Sequence, residues 1–126
     1  MSTYHAVVWI DHQSAQVLQF DEAHVEAQRV KAHSHHSRQH GNDEHLARQF
    51  YAQVAQALHG VHEVLLAGPG AARNELRKYC DEQAPAVGRA IVDSVATDHP
   101  SEAQLVALAR KYFLRHDRMA GTPTPT

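Results

Sequence analysis

Residues 61–70, V-H-E-V-L-L-A-G-P-G, restrict the fold more than any other stretch of this chain. The strand-like run at residues 63–67 continues into V-L-L-A without alternation, the pattern of a strand covered on both faces. It enters Gly68-Pro69-Gly70 directly, and a helical pattern, A-A-R-N-E-L-R-K-Y-C, follows over about residues 71–81. Proline is tolerated in a first helical turn, where its missing N–H leaves nothing unpaired. Glycines on either side let the backbone approach whatever lies at the helix N-terminus. A buried strand turning this tightly into a helix is an α/β unit, and the rest of the chain must fit around it.

Three β-like segments precede it. Residues 4–10, Y-H-A-V-V-W-I, read as a central strand, and Asp11-His12-Gln13 is a polar break of hairpin length. Residues 14–20 form a second strand, and Asp21-Glu22-Ala23 is another short break. Residues 24–30 alternate, with Val25 and Ala27 on one side and His24, Glu26 and Gln28 on the other. That period belongs to a half-exposed strand near a sheet edge. Together the three make an antiparallel meander.

Residues 31–41, K-A-H-S-H-H-S-R-Q-H-G, lack apolar periodicity and should be a mobile loop. Asn42 is the expected N-cap of a helix with Asp43 and Glu44 in its first turn. Leu46, Phe50, Val54, Ala57 and Leu58 fall on one face of that helix, and Gly60 closes it. On the next helix Leu76, Tyr79 and Cys80 point inward, Pro85 lies in a connection, and residues 88–95 read as a fifth strand. Ser101 and Gln104 then form a capping box ahead of the stripe Leu105, Leu108, Ala109, Tyr112 and Phe113.

The order is βββ-α-β-α-β-α. It predicts one α/β domain over residues 1–119, a mixed five-stranded sheet whose first three strands are antiparallel, with three helices packed on it. Residues 120–126 are expected to be a disordered tail.

Composition narrows the setting. A net charge of −2 with neutral histidines argues against binding nucleic acid by bulk electrostatics alone. Twelve histidines would reverse that sign if part of them were protonated. A lone cysteine, Cys80, favours a reducing compartment. With neither a leader-like segment nor an apolar run long enough to span a bilayer, the expected location is cytoplasmic, away from membranes.

In this order the segments resemble a known family. V-V-W-I-D-H-Q-S-A-Q-V-L-Q-F, the helix E-H-L-A-R-Q-F-Y-A-Q-V-A, the turn L-L-A-G-P-G and G-R-A-I-V-D-S-V are similar to the middle domain of eukaryotic and archaeal peptide-chain release factors and Pelota. The likeness covers about residues 4–115 and suggests a free-standing bacterial relative. It implies a ribosomal-protein-like, RNase H-like layout with strand order 3-2-1-4-5, and ribosome, rRNA or tRNA as partners. In release factors the loop after the third strand carries Gly-Gly-Gln, which promotes ester hydrolysis. Here that loop reads H-S-H-H-S-R-Q-H-G-N, and Gln39 has no preceding glycine pair. Termination activity is therefore not expected, and the chain reads as a translation-associated protein rather than an enzyme.

The resemblance makes Lys31, His35, His36, Arg38, Gln39 and His40 candidate RNA contacts, through phosphate pairing and stacking on bases. His33, His35, His36 and His40 also suggest a transition-metal site, but H-x-H-H in a loop fixes no coordination geometry. Adventitious zinc, nickel or copper is the default there, and no cofactor is expected. Gly68 and Gly70 are candidates for holding an anion at the helix N-terminus, without a nucleotide P-loop pattern. Asp11, Asp93 and Asp98 invite an alternative reading as a metal-dependent hydrolase or nuclease of RNase H-like shape. Arg73, Arg77 and Lys78, with Arg110, Lys111, Arg115 and Arg118, read as a solvated face or a phosphate-facing strip. A third reading is a small protein-interaction domain, with the edge strand at residues 24–30 supporting a homodimer.

Overall fold

A computed structural model of the chain describes residues 5–21, 23–32 and 40–119, with backbone alone at 40–44 and 117–119. The elements are β1 (His5–Ile10), β2 (Ser14–Phe20), β3 (Val25–Lys31), α1 (His40–Ala57), β4 (Glu63–Gly68), α2 (Ala72–Gln83), α3 (Pro85–Ala90), β5 (Ile91–Ala96) and α4 (Glu102–Met119). They form one five-stranded sheet in the order β3-β2-β1-β4-β5. β1, β2 and β3 pair antiparallel. β4 lies parallel to β1, and β5 parallel to β4. This is the mixed sheet, with the strand order, that the sequence and its resemblance imply.

The two hairpins use one device. Asp11 Oδ1 accepts hydrogen bonds from the backbone N–H groups of Gln13 and Ser14, both at 2.8 Å. Asp21 Oδ1 does the same for Ala23 and His24, at 2.8 and 2.7 Å. An aspartate that bonds the backbone ahead of it closes a turn. These bonds hold the Asp21 carboxyl below its usual pKa, the amides of Ala23 and then His24 contributing most.

The non-alternating runs in β1 and β4 follow from coverage on both faces. Ala6, Val8 and Ile10 join Val64, Leu66, Phe50, Val54, Leu58, Leu76 and Cys80 in one core, beneath α1, α2 and α3. Val7, Trp9, Leu18, Phe20, Leu65 and Ala67 join Leu105, Ala109 and Phe113 in the other, beneath α4. Three helices therefore cover one face and one covers the other. Ser101 opens α4 with the reciprocal bonds of a capping box: Gln104 Oε1 accepts from Ser101 N at 2.9 Å, and Ser101 Oγ from Gln104 N at 3.2 Å.

Four points differ from expectation. Among the described residues there are four helices: Pro85 is not in a plain connection but opens α3, and residues 88–90 finish that helix before β5 starts at Ile91. Gly88 allows α3 to lie against α2, since a Cβ there would sit 2.6 Å from Asp81 Oδ1 and 3.3 Å from the Asp81 backbone. α1 begins at His40, so Asn42 is inside the helix rather than capping it. Leu108 is 38% exposed and Val106 is buried in its place. Lastly, Val25 and Ala27 are exposed, because α4 packs over β1 and β2 and leaves that side of β3 open.

Candidate functional site at the carboxyl edge of the parallel strands

β1, β4 and β5 all end on one edge of the sheet, and the pairing of Ser14 with Lys31 brings the end of β3 to the same edge. The turn at 11–13, the Gly68-Pro69-Gly70 turn, the segment 97–100 and Ala32 after β3 therefore lie on one edge. In open α/β sheets ligands bind outside the carboxyl ends of the strands, where neighbouring connections diverge. The chain leaves β1 toward β2 on one side, while β4 flanks β1 on the other.

Three side chains from three elements meet here. His12 Nε2 lies 3.1 Å from Glu75 Oε2, and the Tyr51 hydroxyl donates to Glu75 Oε1 at 2.8 Å. Hydrogen bonds from His12 and then Tyr51 hold the Glu75 carboxyl below its ordinary pKa. Burial, with the Glu75 carboxylate beside it, pushes the Tyr51 hydroxyl far above its own. Among the described residues, His12 bonds no serine, threonine or cysteine that would complete a nucleophilic triad. What remains is an exposed imidazole oriented by a carboxylate, suited to hydrogen bonding or stacking with a ligand.

The pair has a measurable consequence. A carboxylate with a lowered folded-state pKa adds stability above its unfolded pKa, and that stability is lost as the pH falls through the folded value. Glu75 is 48% exposed, so solvent screening limits the effect to under about 1 kcal/mol. Glu75→Gln is expected to flatten the acid limb of stability between pH 5 and 3 (urea midpoints at each pH). An acid limb identical to that of the original chain would dissolve the cluster.

A second exposed histidine, His99, lies on the same edge, its ring edge-on to Trp9 at 4.2 Å between centroids. Trp9 itself is core, 3% exposed, and its indole N–H donates to the Asp98 carbonyl at 2.7 Å. Neither His12 nor His99 was singled out from sequence; the available signal was that each lies in a short break just after a strand.

Gly68 and Gly70 have conformational reasons to be glycine. Gly68 has φ +140°, and a Cβ there would fall 2.2 Å from the Ile10 carbonyl oxygen. Gly70 has φ +67° with open space around it. Ala71, ahead of α2, offers no side-chain cap, and Glu75 already places negative charge in the first turn.

Of the candidate RNA contacts, Lys31 ends β3 exposed at this edge, and His40 opens α1. His33, His35, His36, Arg38 and Gln39 lie outside the described residues, and so does the metal reading built on three of them. The N–H of Ala32, the last described residue before them, donates to the Gln13 carbonyl at 2.9 Å.

The three aspartates do not form a ligand set. Asp11 closes its turn, and Asp93 accepts from the Tyr112 hydroxyl at 2.9 Å and from Ser94 N at 2.7 Å. Asp98 offers its backbone carbonyl to Trp9. Among the described residues no three His, Cys, Asp or Glu side chains are grouped to hold a metal ion. The basic residues are divided as well: α2 packs on one face of the sheet and α4 on the other. Arg73 donates to Ser94 Oγ at 2.7 Å, and Arg110 donates to the Asp21 carbonyl at 2.9 Å while lying over the Phe20 ring. Cys80 is buried, and desolvation raises its thiol to about 11, as befits a structural residue. No described helix is long and apolar enough to cross a membrane.

No protein-family model matches the chain, and no curated protein matches it in sequence. Solved structures do. Archaeoglobus fulgidus Pelota superposes with a TM-score of 0.67 at 15% identity, over 96% of this chain and 36% of that one. Thermoplasma acidophilum Pelota gives 0.59 at 18% identity, over 90% and 32%. The archaeal translation termination factor aRF1 gives 0.54 at 15% identity, over 93% and 42%. This chain spans about a third to two-fifths of the length of these proteins. At these identities the likeness is one of fold, and it agrees with the resemblance to the release-factor and Pelota middle domain.

Proposed function

We propose that this chain is a translation-associated protein that contacts rRNA or tRNA on the ribosome without promoting termination. The observation that supports it best is the match of almost the whole chain to one part of Pelota and aRF1. One archaeal Pelota of this fold is known bound to the ribosome with ABCE1, and Dom34 of S. cerevisiae is a termination-like factor in RNA quality control that interacts with Hbs1. The position that carries Gly-Gly-Gln in release factors carries histidines here, which separates the scaffold from the hydrolytic chemistry.

In this reading Lys31, His35, His36, Arg38, Gln39 and His40 form the contact, flanked by His12 and His99 on the same edge. Backbone N–H groups of the Gly68–Gly70 turn donate to a phosphate oxygen beside them. Lysine and arginine meet phosphates, and imidazole rings stack on unpaired bases. Because histidine charges between pH 8 and 5, the contact strengthens on acidification and weakens with salt.

Sucrose-gradient sedimentation of cell extracts tests the proposal. The chain is expected to travel with ribosomal particles in growth or starvation. Replacing His35, His36 and Arg38 together by alanine is expected to reduce the bound fraction at least fivefold without altering the melting temperature. Confinement to the top of the gradient in both conditions would refute the reading.

A further inference from the structure

The outer edge of β3 carries an inference that does not rest on ribosome binding, although it shares Lys31 with the proposed RNA contact. The bonds that bracket the β2–β3 ladder, Asp21 N to His24 O at one end and Ala32 N to Gln13 O at the other, set its phase. In an antiparallel pair, residues alternate between exchanging both backbone bonds with the partner and turning both groups away. With Phe20 opposite Val25 and Ser14 opposite Lys31, the residues turned away from β2 are Val25, Ala27, Arg29 and Lys31. Nothing among the described residues pairs with that side of β3, and the strand is regular over its seven residues, without bulge or proline.

Beside this edge runs a groove of about 740 Å³ between β3 and α1, floored by Ala52 and Ala57 and edged by Gln28, Gln53 and Gln56. A strand edge beside a helix is the geometry in which an extended peptide adds to a sheet, its alternate side chains entering the groove. The remaining side chains of such a peptide would meet Arg29 and Lys31, which project on the opposite face. Both are exposed, and neither has an ion-pair partner among the described residues. The groove lining contains no acidic residue.

We propose that β3 is a docking edge for an extended segment of another polypeptide, carrying acidic side chains at alternate positions opposite Arg29 and Lys31. A second copy of β3 fits less well. With β3 paired antiparallel to itself about Gln28, the two Arg29 side chains become diagonal neighbours on one face, while Glu26 lies on the other face.

Selection of a displayed random nonapeptide library on the full chain, counter-selected on Ala27→Pro, tests this. Ala27→Pro removes an outward N–H and leaves the β2 ladder intact, as proline on an edge strand can. Selected peptides are expected to carry glutamate or aspartate at alternate positions and to bind one-to-one by calorimetry. They should bind Ala27→Pro and Arg29→Glu at least tenfold more weakly. Lysine-substituted versions should regain affinity for Arg29→Glu, a readout that stands even if Ala27→Pro fails to fold. The proposal is overturned if no alternating acidic pattern emerges or if binding ignores Arg29→Glu. It is likewise overturned if self-association of the chain, or a single-stranded RNA oligonucleotide, occupies the edge and blocks the peptides.

Discussion

Gly68→Ala is expected to lower the unfolding free energy by roughly 3–5 kcal/mol, the sum of a backbone strain and a steric overlap. At φ +140° an L-residue is strained whatever space surrounds it. There is no space in any case: the new Cβ would lie 2.2 Å from the Ile10 carbonyl oxygen and 3.2 Å from the Ile10 carbonyl carbon and amide nitrogen. All three are backbone atoms, so relief requires the ends of β1 and β4 to separate. The same movement would disturb the bond from Thr97 N to Gly68 O, 3.2 Å long, which holds the chain after β5. Gly70→Ala is the control. Its φ of +67° also disfavours a side chain, yet nothing lies within 4 Å, so a loss of roughly 1–2 kcal/mol is expected. Urea denaturation of both variants separates the two effects. Equal losses would mean that close approach to Ile10 contributes nothing.

Phe113→Ala is the second large effect, with roughly 3–5 kcal/mol expected from lost burial and the cavity left behind. Phe113 is 2% exposed, with its ring 4.3 Å from that of His5 and 6.2 Å from that of Phe20 between centroids. Among the described residues it is the last large buried apolar group of α4. Around it, His5 Nε2 lies 2.9 Å from Glu63 Oε1, and Tyr112 stacks on His116. Leu114, its neighbour in sequence, is 52% exposed, and Leu114→Ala should change stability by less than about 0.5 kcal/mol. Comparable losses at 113 and 114 would mean that α4 is rotated from the orientation described.

Much of the fold was legible in the sequence because the signals were local. Unalternating runs marked strands buried on both faces, and Ser101 with Gln104 marked the start of α4 three residues apart. α3 was hidden because Ile91, Val92 and Val95 give G-R-A-I-V-D-S-V a β-forming core that masks the helix before it. Gly88 is helical there because α2 lies against it, a fact residing at Asp81. Leu108 and Val106 were exchanged by a similar limit, since a shift in how α4 rests on the sheet changes which residues face inward. The edge was legible in part. Its glycine turn was read correctly as a tight strand-to-helix junction, but His12, Glu75 and Tyr51 are separated by 63 and 24 positions. No spacing rule joins them until β1, β4 and the helices are placed.

The uneven distribution of helices bears on how the chain is made. α1, α2 and α3 are synthesised between or just after the strands they cover, so one face of the sheet can close as it emerges. The other face, with Val7, Leu18 and Leu65, has no cover until α4, the last of these elements, leaves the exit tunnel. Until then the nascent chain displays a greasy plane to chaperones and to its neighbours. A chain cut short before Glu102 is expected to keep that aggregation-prone face bare, whereas one that includes α4 is not.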